Sequence, residues 1–182
     1  VSLIKNFSPL KASRITAALR NKKSVLITGE GSSRIFPANN LINKLRQKKA
    51  SLQVYTEGAT QALDFNLTDT AVIGLSNSGN TKELIRLFDH CKSDPTVALL
   101  SITANPEGII KSYSRECLIL DCGKEEAVAA TKSVVEQALI LEAIFAGLEE
   151  RLLEGLDQLS VNAEIILKQN LPFTIVEKTM RA

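Results

Sequence analysis

Residues 70–75 (T-A-V-I-G-L) form an uninterrupted apolar, β-branched run. With no polar alternation, such a run suits a strand buried on both faces of a parallel sheet. Residues 76–81 (S-N-S-G-N-T) follow at once, and then Leu84, Ile85 and Phe88 recur at helical spacing with Lys82, Glu83 and Arg86 between them. That second pattern is an amphipathic helix. A strand that passes through a hydroxyl- and glycine-rich turn straight into a helix confines the chain to an α/β architecture. It also puts the turn at the carboxyl end of a strand, where open α/β sheets bind their ligands.

The same unit recurs along the chain. Residues 24–28, 52–55, 96–103 and 116–120 are the other predicted strands, the last short and next to Asp121 and Cys122, as suits an edge. Ser8 and Pro9 open a first helix, as N-cap and first helical residue, with Leu10, Ile15, Ala18 and Leu19 as its apolar stripe. A helix after the first strand runs to about residue 48, with Ile35, Leu41, Ile42 and Leu45 inward and Pro37 in its first turn or bending it. Residues 56–62 and 108–113 have room only for short helices or loops. A long helix is expected over 129–153, ended by Gly155, and another over 157–169; residues 171–182 have no clear assignment. The long helix is apolar around so much of its circumference that it predicts a subunit contact and a homodimer. Strand alternating with helix five times gives a three-layer, doubly wound, five-stranded parallel sheet of flavodoxin-like order 2-1-3-4-5, with extra C-terminal helices. In that order the loops 29–33 and 76–81 face one cleft.

Composition excludes several classes. A chain of 182 residues, 45% hydrophobic, fills one core rather than two. Residues 1–155 are expected to be the ligand-binding domain with its N-terminal helix, and 156–182 a helical tail. The net charge of +2 balances 22 basic against 20 acidic residues with no long single-sign run, so no nucleic-acid partner is indicated. Cys91, Cys117 and Cys122 have no C-x-x-C spacing and read as buried thiols of a reducing, cytoplasmic compartment. His90 stands alone near the end of a surface helix, so neither a metal site nor a cofactor is expected. No apolar run reaches the length of a membrane span. The chain starts at Val1 and its single methionine is Met180, which suggests a piece of a longer protein.

The 76–81 turn narrows the ligand. Ser76, Ser78 and Thr81 offer hydroxyls, Gly79 lets the backbone approach closely, and the helix end adds N–H donors and about half a positive charge. No acidic or basic side chain lies between them. Such a cup suits a phosphate monoester. A hydrogen bond to a charged group is worth roughly 1.5–3 kcal/mol, so three or four hold a small phosphate ester at micromolar affinity. The other reading is a helix whose Ser and Thr satisfy only their own backbone.

Three segments, in order, resemble the sugar isomerase (SIS) domain family, closest to the isomerase half of glucosamine-6-phosphate synthase and related two-SIS phosphosugar isomerases and deaminases. They are Gly31-Ser32-Ser33, Ser76-Asn77-Ser78-Gly79-Asn80-Thr81, and residues 125–132 (E-E-A-V-A-A-T-K). The resemblance implies that Ser76, Asn77, Ser78, Gly79 and Thr81 hold the phosphate of a phosphorylated sugar. It further implies that Gly31, Ser32 and Ser33 contact phosphate or sugar from the neighbouring loop, and that the backbone around Val128 lines the sugar. The chain departs from the synthase pattern, with Asn77 in place of Gln, Asn80 in place of Glu and Ala130 in place of Ser. Aldose–ketose isomerisation needs a base that moves a proton between adjacent carbons, and Glu125 and Lys132 are the candidates within this chain, against roles as a helix-start charge and a structural ion pair. In synthase-like relatives much of the catalytic machinery comes from a second SIS domain, to which the C-terminal tail would lead.

The resemblance leaves two functions open: the N-terminal part of a phosphosugar isomerase or amino-sugar-phosphate deaminase, or a non-catalytic phosphosugar-sensing module. A Rossmann dinucleotide domain is the third alternative. Gly29-Glu30-Gly31 begins like G-x-G-x-x-G, but the sixth position is Arg34, and the serine-rich second turn would have no role.

Overall fold

The computed structural model describes residues 2–48, 52–123, 131–151, 153 and 155–168. Its elements are helix α1 (Ser2–Lys5), a 3-10 turn (Pro9–Ala12), α2 (Ser13–Leu19), β1 (Ser24–Gly29), α3 (Ser32–Lys48), β2 (Gln53–Gly58), a 3-10 turn (Gln61–Asp64), β3 (Thr70–Ser76), α4 (Lys82–Cys91), β4 (Ala98–Thr103), α5 (Ile110–Tyr113), β5 (Glu116–Ile119), α6 (Lys132–Leu148) and α7 (Leu156–Lys168). The five strands pair in parallel in the order β2-β1-β3-β4-β5, as the alternation requires.

Right-handed crossovers fix the layers. The connection from β1 to β2 runs one way along the sheet and those from β3 to β4 and β4 to β5 run the other, so α3 covers one face and α4 and α5 the opposite one. On the α4 face Leu84, Leu87, Phe88 and Cys91 sit on Leu26, Val72 and Leu99, with Ile110 of α5 closing the cluster. On the other face α6 packs against α3 and α2. All seven residues of β3 are buried, which explains why its sequence shows no alternation. Burial among apolar groups, and secondarily Asp94, pushes the Cys91 thiol above its ordinary pKa. Cys117 and Cys122 are half-buried rather than buried, since both lie at or just after the edge strand β5.

Several local expectations are corrected. The segment after Pro9 is a 3-10 turn before it becomes α2, and Ser8 makes no side-chain cap. Strand β2 runs on to Gly58, past the point where a loop was expected. Ile35 is 42% exposed instead of inward, and Pro37 lies inside α3, past the first turn that was one of its two expected places. Helix α6 stops at Leu148, well before Gly155: Glu150 takes a left-handed φ of 54°, and the Arg151 amide bonds back to the Ala146 carbonyl at 3.0 Å. That is a Schellman-type stop made without glycine. Gly155 instead opens α7, its carbonyl accepting the Leu159 amide at 2.9 Å.

By contacts the chain divides into residues 8–152 and a smaller unit of residues 1–7 with 153–182. Within the smaller unit α1 packs on α7, and Lys5 pairs with Glu164 at 3.2 Å. Among the described residues no helix is long and apolar enough to cross a membrane.

Candidate functional site

Strands β1 and β3 are neighbours, with Gly29 opposite Leu75 in register. Their two loops therefore leave the sheet at one level, about 4.8 Å apart. The first passes through Gly31, at φ 61°, into α3. Its carbonyl accepts the Arg34 and Ile35 amides, so the Ser32 and Ser33 amides precede the first helical bond. Ser33 is 8% exposed, Ser32 half-buried. Arg34, which breaks the dinucleotide fingerprint, reaches toward Thr56 on β2, Nη1 to Oγ1 at 3.4 Å.

The second loop is the more complete. Ser76 is 2% exposed; its Oγ shares a hydrogen bond with Thr81 Oγ1 at 2.8 Å and accepts the Gly79 amide at 3.0 Å. Ser78 is exposed and its Oγ accepts the Asn80 amide at 3.1 Å. So part of the hydroxyl set shapes the loop itself, as the capping alternative supposes. The helix end is nevertheless open. Thr81 is the N-cap of α4 in extended conformation without a side-chain cap, and the first helical bond is Ile85 amide to Thr81 carbonyl. The amides of Lys82, Glu83 and Leu84 thus precede any helical acceptor, the arrangement that binds anions. Thr28 Oγ1, at the end of β1, and Asn77 Oδ1 are buried with no partner.

What holds this loop was not visible as a motif. Residues 104–110, after β4, brace it from below. The Ala104 amide donates to the Asn77 carbonyl at 3.2 Å and the Ile110 amide to the Gly79 carbonyl at 3.0 Å. Asn105 Nδ2 donates to the Ser78 carbonyl at 2.9 Å, and the Ile109 amide donates to Asn80 Oδ1, also at 2.9 Å. Gly79, at φ 66°, packs directly on Gly108. Asn80, read from sequence as a lost carboxylate, is thus a brace acceptor. The only signal for this region was the Ala104-Asn105-Pro106 turn with Gly108 behind it.

Lys132 is the exposed first residue of α6. Glu125, Val128 and Ala130 lie outside the described residues. Among the described residues no group of three His, Cys, Asp or Glu stands close enough to hold a metal ion. His90 is exposed in the last turn of α4, away from both loops.

A doubly wound parallel sheet with two glycine- and serine-bearing βα turns at its switch point, one opening on uncapped helix amides, defines an anion-binding α/β domain. The family model for the SIS domain matches residues 18–147. The chain belongs to the SIS domain family. Solved structures share the fold at low identity. The C-terminal domain of glucosamine-fructose-6-phosphate aminotransferase from Francisella tularensis is 19% identical, with a TM-score of 0.66 over 91% of this chain and 50% of that one. The NanR protein of Vibrio vulnificus, complexed with ManNAc-6P, is 18% identical, with a TM-score of 0.64 over 91% and 63%. The sugar isomerase domain of an RpiR transcription factor from Sphaerobacter thermophilus is 17% identical, with a TM-score of 0.61 over 90% and 89%. The chain thus spans half to two thirds of the first two and most of the third. No curated protein matches it.

Proposed function

We propose that this domain binds a phosphorylated sugar, with the phosphate on residues 76–81 and the sugar reaching toward Gly31, Ser32, Ser33 and the segment that contains Val128. The observation that carries this reading is the open N-terminus of α4: three amides without helical acceptors, below the exposed Ser78 and beside the tight Gly79 turn. Membership in the SIS family and the ManNAc-6P complex of NanR support a phosphosugar rather than a free anion. In the full-length protein the domain serves a ketose/aldose phosphosugar isomerase or amino-sugar-phosphate deaminase, with Glu125 and Lys132 as acid/base groups, residues 1–155 as the domain, and the tail leading to a second SIS domain. We place it in the cytoplasm.

The second reading, a sensor that binds without turnover, is favoured by what the described part of the cup contains. The 76–81 loop is built of hydroxyls and amides, and of the two acid/base candidates the described one, Lys132, stands exposed at the start of α6. The RpiR similarity is consistent with it.

Thermal unfolding against fructose 6-phosphate, glucosamine 6-phosphate, tagatose 6-phosphate, ManNAc-6P, inorganic phosphate and NAD tests the binding. A ligand at a hundred times its Kd adds about 2.7 kcal/mol, a shift on the order of 5–10 °C. A shift with a phosphosugar and none with NAD is expected; no shift with any phosphosugar refutes the reading. Incubation of the bound phosphosugar, followed by NMR, separates enzyme from sensor. We further propose a homodimer, paired through the α3–α6 face, where Phe36 is 66% and Val135 46% exposed. A monomeric mass by light scattering at high concentration would remove that idea.

A further inference from the structure

At the amino ends of β1, β2 and β3 the chain forms a second cleft, of about 790 Å³, a volume within the range of small-molecule sites. One side is the start of β1 and β2; the other is the loop that leads from the 3-10 turn Gln61–Asp64 into β3. Strand β3, seven residues long, puts about 20 Å between this cleft and the 76–81 loop.

The loop side is built in advance. Ala62 and Leu67, which flank it, are buried in the α4-face core. The Thr68 amide donates to Asn66 Oδ1 at 3.1 Å and the Thr70 amide to the Leu67 carbonyl at 3.0 Å. Between these anchors Asp64 and Phe65 stand exposed, Phe65 at 42%. The Phe65 and Tyr55 rings have centroids 6.3 Å apart and planes inclined at 44°, so they form an open corner rather than a stack.

Charge decides what such a corner takes. Lys23 also lines the cleft, but its ammonium is committed to Asp69 at 2.9 Å. The Ser24 and Thr70 hydroxyls bond each other at 2.8 Å. The Asp64 carboxylate and the Tyr55 hydroxyl have no hydrogen-bond or ion-pair partner among the described residues. The cleft therefore carries one uncompensated charge, a negative one, beside two ring faces whose quadrupoles attract cations. An anion would meet that carboxylate and gain only an ammonium already paired.

We propose that this cleft binds a small organic ammonium ion, with its charged head in the Tyr55–Phe65 corner and against Asp64. The site is separate from the phosphate cup and does not depend on the phosphosugar reading.

The test is an NMR titration of the isotope-labelled chain with choline chloride at constant ionic strength. Dimethylbutanol, the neutral molecule of the same shape with carbon in place of the ammonium nitrogen, is titrated beside it. We expect saturable shifts of the Tyr55, Asp64 and Phe65 amides with choline, and binding of the alcohol weaker by about threefold or more. Asp64→Asn removes the charge, and Phe65→Leu removes one ring but keeps an apolar side chain. Both positions are exposed, so each variant should keep its melting temperature while the choline Kd rises about threefold or more. Equal affinity for the alcohol and choline makes the cleft a plain apolar one and overturns the assignment. An unchanged choline Kd in either variant does the same, as do shifts that fail to saturate below about 100 mM.

Discussion

Gly79 and Gly31 form a matched pair for alanine substitution. Both hold left-handed backbone, at φ 66° and 61°, so alanine at either position meets the same conformational cost, about 1–2 kcal/mol. They differ in space. A Cβ on Gly31 meets nothing within 4 Å, whereas one on Gly79 lands 2.7 Å from Gly108 Cα and 2.9 Å from Thr103 Oγ1. The first of those neighbours is backbone, held by the brace bonds, and cannot swing aside. Overpacking of this kind costs about 1–3 kcal/mol, and a stiffer unfolded chain returns less than about 1 kcal/mol in both variants. Gly31→Ala should therefore lose about 1 kcal/mol, and Gly79→Ala about 2–4 kcal/mol. At about 2–4 °C per kcal/mol for a chain of this length, thermal unfolding should show a drop of a few degrees in the first and of about 4–16 °C in the second. Phosphate titration should show the Gly79 variant weakened about tenfold, because its loop must lift off the brace. Equal melting temperatures for the two variants would refute the reasoning, since only the packing against Gly108 distinguishes them.

The hydroxyls of the cup should separate by task. Ser78→Ala, at an exposed position whose Oγ accepts one amide, should leave the melting temperature nearly unchanged and weaken phosphosugar binding about tenfold by titration, about 1.4 kcal/mol. Ser76→Ala removes the buried link between Thr81 and the Gly79 amide, and should cost about 1–3 kcal/mol in thermal unfolding before any ligand is added. Asp94 takes the Thr96 hydroxyl at 2.6 Å and amide at 2.8 Å, which hold its carboxyl below the ordinary range. A depressed carboxyl contributes stability above its unfolded pKa and loses it as pH falls through the folded value. Asp94→Asn should therefore lose less stability than the wild type as pH falls below about 5, compared by denaturant midpoints across pH; parallel curves would contradict it.

Most of the fold was legible because it rests on local pattern. The buried run of β3, the helical spacing from Leu84 and the short connections leave one simple sheet order, and that order is the one found. Errors fell where tertiary packing outweighs local pattern. Ile35 looks inward by spacing, yet it stands on the first turn of α3, at the rim of the sheet. The end of α6 was assigned to Gly155, but a left-handed glutamate, Glu150, stops it earlier. Helix α6 is apolar on most sides in part because α3, α2 and the 3-10 turn Pro9–Ala12 enclose it. In the candidate site, the serines and the glycine of the 76–81 turn were visible as a local motif. The brace was not, because its bonds join residues 26 to 31 positions apart, some through backbone alone and the rest through single side chains of Asn80, Thr103 and Asn105 that form no local motif. Glu136, 2% exposed with its oxygens accepting the Asp121 and Cys122 amides, was missed for a related reason: a carboxylate followed by Gln137 on a helix looks solvent-facing until its acceptors are used on a distant strand end.

The brace beneath Gly79 bears on time as well as on structure. A loop tied at Asn77, Ser78, Gly79 and Asn80 has little left to order when an anion arrives. Encounter should then be governed by diffusion and charge, with a single-exponential association whose rate rises linearly with phosphate concentration. Differences in affinity among phosphosugars would lie in how long each stays bound.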